Sequence, residues 1–288
     1  MRMASRLDAM VTNHYEGLTE KVNGKPVWTG KVAQAPDKTL HQPLHWKKPR
    51  RIFVNSMGDL FHENVPDEWI DRVFAVMALC PQHTFMILTK RAGRMQEYCN
   101  DPDAPFRVAR AMSAVHAKMT TDRRGNEQVR KVNGETGKQW VVSTPVDWPL
   151  RQCWLGVSAE DQKRADERIP DLLATPAAVR FVSIEPQLGP IKLWDVPGLI
   201  KSCITGVNVT NETAEPFEFA EVYSELDWCI NGAESGYGAR PFDDDWARSL
   251  RDQCKTTGTA FFFKQHIKNG KKIETPELDG RRWMEYPK

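Results

Sequence analysis

The chain has 288 residues, and its 40 lysines and arginines against 38 acidic residues leave a formal net charge of only +2. A charge this small does not favour a nucleic-acid-binding protein on electrostatic grounds, and no segment approaches the ~18 consecutive apolar residues of a membrane helix. The length favours one large α/β domain over several small ones. We therefore expect a cytoplasmic protein without a membrane partner.

The six cysteines are scattered along the chain, with no C-x-x-C pair. Cys153 and Cys229 lie inside apolar segments, where cysteine behaves as a small hydrophobic residue. This usage indicates reduced thiols in a cytosol, and it predicts neither disulfides nor a zinc site.

Six short segments consist of apolar or β-branched residues and end in a polar cluster. Near-continuous apolar runs of this length are typical of strands buried on both faces of a parallel sheet. The six predicted strands are residues 51–55, 84–89, 153–158, 179–184, 226–230 and 260–263.

Helical patterns at residues 66–79, 159–175 and 243–254 fall between these strands. Alternation of strand and helix predicts parallel βα units. We expect the α/β class, with a partial (β/α) barrel forming a single domain over residues 1–288. Two polar stretches, at about 108–146 and 201–224, are predicted to be insertions in this barrel.

Polar residues that follow parallel strands meet at one rim of a barrel, where such folds place their chemistry. The side chains collected in this way are Asp59, Lys90, Arg91, Glu160, Glu185, Glu234, Lys264 and His266. The loop from Asn231 to Arg240 is rich in glycine, so its backbone N–H groups can face an anion that Arg240 clamps. An ordinary flexible loop with a surface arginine remains an alternative. His62 is expected to cap or pack against the helix that follows it.

Seven blocks of the chain resemble, in the right order, a phage-encoded family of uncharacterised function (phage gene product thirty-seven/sixty-eight). They are Arg50-Arg-Ile-Phe-Val-Asn-Ser-Met-Gly-Asp-Leu-Phe-His62, Ile87-Leu-Thr-Lys-Arg91, Trp154-Leu-Gly-Val-Ser-Ala-Glu160, Phe181-Val-Ser-Ile-Glu-Pro186, Gly232-Ala-Glu-Ser-Gly236, Phe261-Phe-Phe-Lys-Gln265 and Leu278-Asp-Gly-Arg-Arg-Trp283. That family is similar in style to radical-SAM barrels of the spore-photolyase type. The resemblance implies a radical-SAM/TIM-like fold and a phage or prophage protein in a bacterial cytoplasm.

The resemblance also implies S-adenosylmethionine and a [4Fe–4S] cluster in the full-length protein. In the family, three cysteine ligands precede a helix that begins Arg-Met-Ala, and this chain begins Met1-Arg-Met-Ala-Ser-Arg-Leu7. We expect that the chain starts just after the cluster motif and is inactive alone, the alternative being a descendant without a cluster. The six cysteines have the wrong spacing to replace the ligands, so no metal-binding residues are predicted here.

Site residues are carried over from the family by position. Asn55, Ser56 and Asp59 would meet the methionine amino group. Ser158 and Glu160 would approach the ribose. The loop with Gly232, Glu234, Ser235, Gly236 and Arg240 would meet the adenine or the substrate. Lys90, Arg91 and Glu185 would face the substrate, so Lys90, Arg91, Glu160 and Glu185 are the predicted catalytic residues. By analogy with photolyase-like relatives, that substrate is a nucleic acid or a nucleotide.

Two other functions remain open from the sequence. The first is a cluster-independent barrel hydrolase in which Glu160 and Glu185 share the roles of acid and base. The second is a binding protein that has lost its cofactor.

Overall fold

The structure is a computed structural model, and it describes residues 15–120, 145–203, 221–236, 238–268 and 271–287. It confirms the predicted α/β class, because parallel strands alternate with helices. The chain divides into two compact units: Met1–Ile87 with Glu97–Cys153, called unit one, and Leu88–Gln96 with Trp154–Lys288, called unit two. The single (β/α) barrel domain stays a prediction.

Unit one contains two pairs of strands. The first is an antiparallel hairpin of β1 (Thr19–Val22) and β2 (Lys25–Trp28). Asn23 and Gly24 join its strands with positive φ angles of 52° and 73°, as a type I′ turn requires. The second pair is β3 (Arg51–Val54) and β4 (Thr84–Thr89), which run parallel. Exposed and half-buried residues alternate along β3, so burial on both faces is wrong for this strand, which has one solvated face.

Four α-helices among the described residues belong wholly or partly to unit one: α1 (Asp37–Leu40), α2 (Asp67–Ala78), α3 (Ala92–Asn100) and α4 (Ala104–Thr120). Helix α2 begins after Pro66, carries Asp67 and Glu68 in its first turn, and buries Ile70 and Phe74. Acidic residues there interact favourably with the positive end of the helix dipole. The insertion predicted from about residue 108 is helical as far as 120, and residues 121–144 lie outside the described ranges.

The core of unit one contains a hydrogen-bonded carboxylate. The buried ring of Tyr98 packs against Phe61 and Phe74, with centroids 6.1 and 5.4 Å away. The Tyr98 hydroxyl donates to Oδ1 of Asp71 at 2.7 Å, and Nε of Arg107 lies 3.3 Å from Oδ2 of the same carboxylate. The buried Asp71 therefore has hydrogen-bond partners, as a buried polar group requires.

The sheet of unit two has the strand order β11-β10-β9-β6-β5. These strands are β5 (Cys153–Ser158), β6 (Val179–Ile184), β9 (Trp228–Gly232), β10 (Ala260–Lys268) and β11 (Lys271–Glu274). The first four pair in parallel, and β11 returns antiparallel to β10. The predicted bounds of β5 and β6 are confirmed. Strand β9 is displaced by two residues from the prediction at 226–230, and β10 runs past 263 because it continues into a hairpin.

Strands β5 and β6 approach closely at Gly156. This glycine is opposite Phe181 in the register of the two strands, and a Cβ atom added there would lie only 2.5 Å from the Phe181 ring. The ring therefore occupies the space that a side chain at position 156 would need.

Capping residues mark the ends of the two remaining helices. The Asp161 side chain accepts a hydrogen bond from the Arg164 N–H at the start of α5 (Gln162–Leu173). Helix α6 (Asp244–Thr257) starts after Asp243 and ends at Gly258, whose φ is 73°. Aspartate is a preferred residue at the N-terminal cap of a helix, and glycine with a positive φ is preferred just after its C-terminus.

The described part of unit two also contains two short antiparallel pairs: β7 (Ile200–Cys203) with β8 (Glu221–Ser224), and β12 (Glu277–Leu278) with β13 (Arg281–Arg282). The first pair occupies the two ends of the insertion predicted at 201–224, and residues 204–220 lie outside the described ranges. Among the described residues, no helix is long and apolar enough to cross a membrane.

Candidate functional site

The candidate site of unit two lies where β5, β6, β9 and β10 end. These strands are parallel, so their carboxyl ends share one edge of the sheet, and ligands of α/β proteins bind at this edge. Each of β5, β6 and β9 is followed within a few residues by a carboxylate that forms an ion pair, and β10 carries the ion-paired Lys264 near the end of its parallel pairing with β9. The carboxylates are those of Glu160, Glu185 and Glu234.

Glu160, two residues after β5, is held between two cations. One carboxylate oxygen accepts a hydrogen bond from Nζ of Lys90. The other lies 3.1 Å from Nη1 of Arg168, which also donates to the Ser158 carbonyl at 2.7 Å. The side chains of Glu160 and Arg168 are mostly buried, whereas that of Lys90 is half exposed. The carboxylate of Glu160 is therefore fixed in position at the end of β5.

These contacts decide the protonation state of Glu160. Burial alone would raise the pKa of its carboxyl, but the hydrogen bond and charge of Lys90, together with the charge of Arg168, outweigh burial and lower the pKa. Glu160 is consequently ionised at neutral pH. It is an acceptor of hydrogen bonds and a poor proton donor.

Glu185 follows β6 and pairs with Lys264 of β10, Nζ to Oε2, at 2.8 Å. Lys264 lies at an irregularity in β10. Phe263 pairs with Asn231 and Gln265 with Gly232, so Lys264 is an extra residue between two that are in register. Such a bulge re-aims a side chain. Lys264 is exposed, although both of its neighbours in sequence are buried.

The glycine-rich loop after β9 is closed by an ion pair within the loop. Nε and Nη2 of Arg240 donate to the two oxygens of Glu234 at 2.7 and 3.0 Å. Hydrogen bonds from Arg240 lower the pKa of Glu234. The φ angles of Gly236 and Gly238, 108° and 77°, suit glycine. Arg240, predicted to clamp an anion, thus binds a carboxylate of its own loop.

Buried amides lie at the carboxyl ends of the same strands. Nδ2 of Asn231 donates to Oε1 of Gln187 at 2.7 Å, and Nε2 of Gln265 donates to the Ala233 carbonyl at 2.6 Å. Oδ1 of Asn231 is buried and has no hydrogen-bond partner among the described residues. A buried polar atom of this kind calls for a partner such as a water molecule.

The remaining predicted site residues are placed as follows. Ser158 and Gly232 are buried, Ser235 and Gly236 are exposed, and Arg91 is half-buried. Of the residues in unit one, Asn55 and Ser56 are exposed, and Asp59 accepts a hydrogen bond from the Phe61 N–H at 3.1 Å. Their predicted meeting with the residues of unit two stays a prediction.

Two histidines have structural partners. Nδ1 of His62 is 3.1 Å from the Asn64 N–H, so this ring contacts the following turn, in agreement with the capping role expected for it. His266 is buried, and its Nε2 lies 2.6 Å from Oδ1 of Asp244, in the first turn of α6.

Sequence reasoning missed two residues of the site, Arg168 and Gln187. Arg168 lies in the middle of α5, eight positions after Glu160, and looks like any basic residue of a solvated helix face. Gln187 follows the Glu185-Pro186 dipeptide and is buried, and its N–H donates to the Gly232 carbonyl at 3.0 Å. Neither position carries a local signal.

The described residues do not fit an iron–sulfur cluster. Cys80, Cys99, Cys153, Cys229 and Cys254 are buried and free, and burial raises the pKa of Cys80 to about 11 and that of Cys99 to about 12. Cluster iron is bound by thiolates, and burial disfavours the thiolate form of Cys80 and Cys99. The described parts of the chain also contain no group of three or more histidine, cysteine or acidic side chains arranged to hold a metal.

A family model described as protein of unknown function (DUF5131) matches residues 1–287. The chain belongs to this family. The DUF5131 match spans both units, including all the ion pairs described above. Searches of curated proteins and of solved structures gave no match to the chain.

Proposed function

We propose that the ion-paired cluster of unit two binds the nucleoside part of S-adenosylmethionine, and that the protein is a radical-SAM-like barrel enzyme. The observation that carries the proposal is the carboxylate of Glu160, which is fixed by Lys90 and Arg168 and ionised at neutral pH. An ionised carboxylate after a strand is the acceptor that α/β proteins use for ribose hydroxyls.

The other residues of the cluster fit a nucleoside as well. Ser158 and Glu160 would hold the ribose, and the loop from Gly232 to Gly236 would contact the adenine. The amide of Asn231, with one unpartnered oxygen, would accept a hydrogen bond. S-adenosylmethionine, when bound, would supply the reacting sulfonium group, and these residues would orient its nucleoside part. Since the described thiols do not fit a cluster, no step through iron is derived.

The hydrolase alternative loses Glu160 as its acid, because the lowered pKa of this carboxyl makes it a poor proton donor. Lys90, Arg91 and Glu185 remain proposed to face the substrate. A binding protein without catalysis would show the same ligand response as the proposed enzyme, but no turnover.

The proposal is tested by thermal unfolding with adenosine and S-adenosylhomocysteine, which bind without iron. A ligand at about 100 times its Kd stabilises the native protein by about 2.7 kcal/mol. We expect Glu160→Gln to lose most of this stabilisation. Glu167→Gln is the matched control, because Glu167 forms an exposed ion pair with Arg164 at 2.5 Å. No shift in the wild type, or equal shifts in both variants, would contradict the proposal.

A further inference from the structure

Three of the four ion pairs of the cluster share an asymmetry: the cation is much more exposed than the carboxylate. Lys90 is 52% exposed against 12% for Glu160, and Lys264 is 52% exposed against 15% for Glu185. Arg240 is 55% exposed against 31% for Glu234. The carboxylates thus lie beneath their partners, and the solvent-facing side of this cluster presents positive charge.

Two of these cations keep hydrogen-bond donors beyond the ion pair. A lysine ammonium has three N–H donors, and Lys264 gives one to Glu185. Arg240 uses its backbone N–H, Nε and Nη2 on Glu234, which leaves the N–H groups of Nη1. The carboxylates therefore orient the cations without exhausting them.

The cluster also has a positive balance of charge. Lys90, Arg168, Arg240 and Lys264 outnumber Glu160, Glu185 and Glu234 by one. Lys264 owes its outward direction to the bulge in β10. Arg240 is held by Glu234, which directly follows Ala233, and Ala233 is hydrogen-bonded to Gln265, the neighbour of Lys264. Both cations are therefore held at the same edge of the sheet, where one tetrahedral anion can take donors from both.

We propose that the substrate of this site is a phosphate ester, with a phosphoryl oxygen bound by Lys264 and another by Arg240. Phosphate offers several acceptor oxygens to arginine and lysine donors that are held in place. The inference rests on the proposed function, because it names the substrate class of the same site. The phosphate belongs to a nucleotide or to a nucleic-acid backbone, and the test below has an arm for each.

The test compares two double variants with the same change in charge. Lys264→Gln with Arg240→Gln removes the proposed donors. Lys163→Gln with Lys192→Gln removes two exposed lysines of unit two outside the cluster. The probes are AMP, followed by thermal unfolding, and a labelled single-stranded oligonucleotide of about 12 nucleotides, followed by fluorescence anisotropy. Tighter binding of AMP assigns the phosphate to a nucleotide, and tighter binding of the oligonucleotide assigns it to a backbone.

We expect the first variant to bind the better probe about tenfold more weakly, since hydrogen bonds to charged groups are lost, and the control to stay within about twofold of the wild type. Equal loss in both variants, no binding of either probe to the wild type, or binding of succinate as tight as that of AMP would overturn the inference. A further double variant keeps Arg240→Gln but carries Lys264→Arg in place of Lys264→Gln. Partial recovery of binding in this variant, which regains one of the two donors, excludes misfolding as the cause of the loss.

Adenosine separates this inference from the proposed function, because it carries no phosphate. If phosphate binding fails while adenosine still binds through Glu160, only the phosphate assignment is overturned. If adenosine fails to bind and the phosphate probes bind through Lys264 and Arg240, the nucleoside proposal falls and the anion site stands.

Discussion

Unit one and unit two each hold a carboxylate between an arginine and a second donor, yet the pKa values of the two carboxylates move in opposite directions. Burial raises the pKa of Asp71 above its ordinary value of 3.8, although Tyr98 and Arg107 oppose this. At Glu160, burial is outweighed by Lys90 and Arg168, so the pKa falls below 4.5. Two cations overcome burial, whereas one cation and a neutral hydroxyl do not.

The partners of the two carboxylates also differ in their exposure to solvent. Asp71 is 5% exposed and accepts from Tyr98, which is itself buried. Glu160 has a half-exposed lysine above it. The carboxylate of Asp71 is enclosed by packed rings and contributes to the folded structure, whereas that of Glu160 lies beneath a half-exposed cation, where we propose that it meets a ligand.

The largest expected effect is on the stability of unit one. Asp71→Ala removes the acceptor of the Tyr98 hydroxyl and leaves Arg107 without this carboxylate, so we expect a loss of about 3 kcal/mol in the free energy of unfolding. Asp71→Asn should lose less than half of that, because it keeps a neutral acceptor. Urea unfolding at neutral pH measures both values.

Asp67→Ala is the control for this prediction. Asp67 is 3.9 Å from Arg107 and more exposed than Asp71, and such a surface ion pair contributes about 1 kcal/mol or less. An Asp71→Ala variant no less stable than Asp67→Ala would show that the buried carboxylate does not stabilise unit one.

A smaller effect separates the two partners of Glu160. Lys90 does more to lower the pKa of Glu160, but its side chain is largely solvated, whereas Arg168 is 14% exposed and also donates to the Ser158 carbonyl. We expect Arg168→Met to destabilise the fold by about 2 kcal/mol and Lys90→Met by less than about 1 kcal/mol. Urea unfolding measures the loss of stability in each variant. A larger loss for Lys90→Met than for Arg168→Met would contradict the expectation that the buried ion pair stabilises the fold more than the exposed one.

The smallest effect is a difference in pH dependence. The pKa of Asp71 is higher in the folded protein than its ordinary value of 3.8. Protonation of Asp71 therefore stabilises the fold fully below pH 3.8, and this stabilisation is lost as the pH rises through the pKa of the folded protein. The pKa of Glu160 is lower in the folded protein than its ordinary value of 4.5. The ionised carboxylate therefore stabilises the fold above pH 4.5, and this stabilisation is lost as the pH falls through the pKa of the folded protein.

Unfolding of Asp71→Asn and Glu160→Gln between about pH 3 and about pH 7 tests these signs. The difference in the free energy of unfolding between the wild type and Glu160→Gln should become smaller as the pH falls. The difference between the wild type and Asp71→Asn should become smaller as the pH rises. If both differences changed in the same direction, the pKa values of the two carboxyls would not be shifted in opposite directions.

Apolar runs predicted β4, β5 and β6 to the residue, because strands buried in a parallel sheet leave a continuous signal. Two other elements have local signals that apolar runs do not include. Asn23 and Gly24 form a typical hairpin turn between β1 and β2, and the buried Ala92, Met95 and Cys99 of α3 recur at helical spacing.

The candidate site was only partly predictable. Position after a strand identified Glu160, Glu185 and Glu234, since parallel strands bring their ends together. The partners of these carboxylates depend on tertiary structure: Arg168 comes from the interior of a helix. Lys264 was identified as polar, but its direction comes from a bulge, which a sequence pattern of alternating residues does not show.

The buried cysteines have a practical consequence for the study of the two units. Cys80, Cys99 and Cys153 belong to unit one, and Cys229 and Cys254 to unit two. An alkylating reagent attacks an accessible thiolate, so a buried thiol is modified only when the surrounding structure opens. Alkylation followed by peptide mass spectrometry therefore reports the opening rate of each unit in one experiment, with the native thiols as the probes.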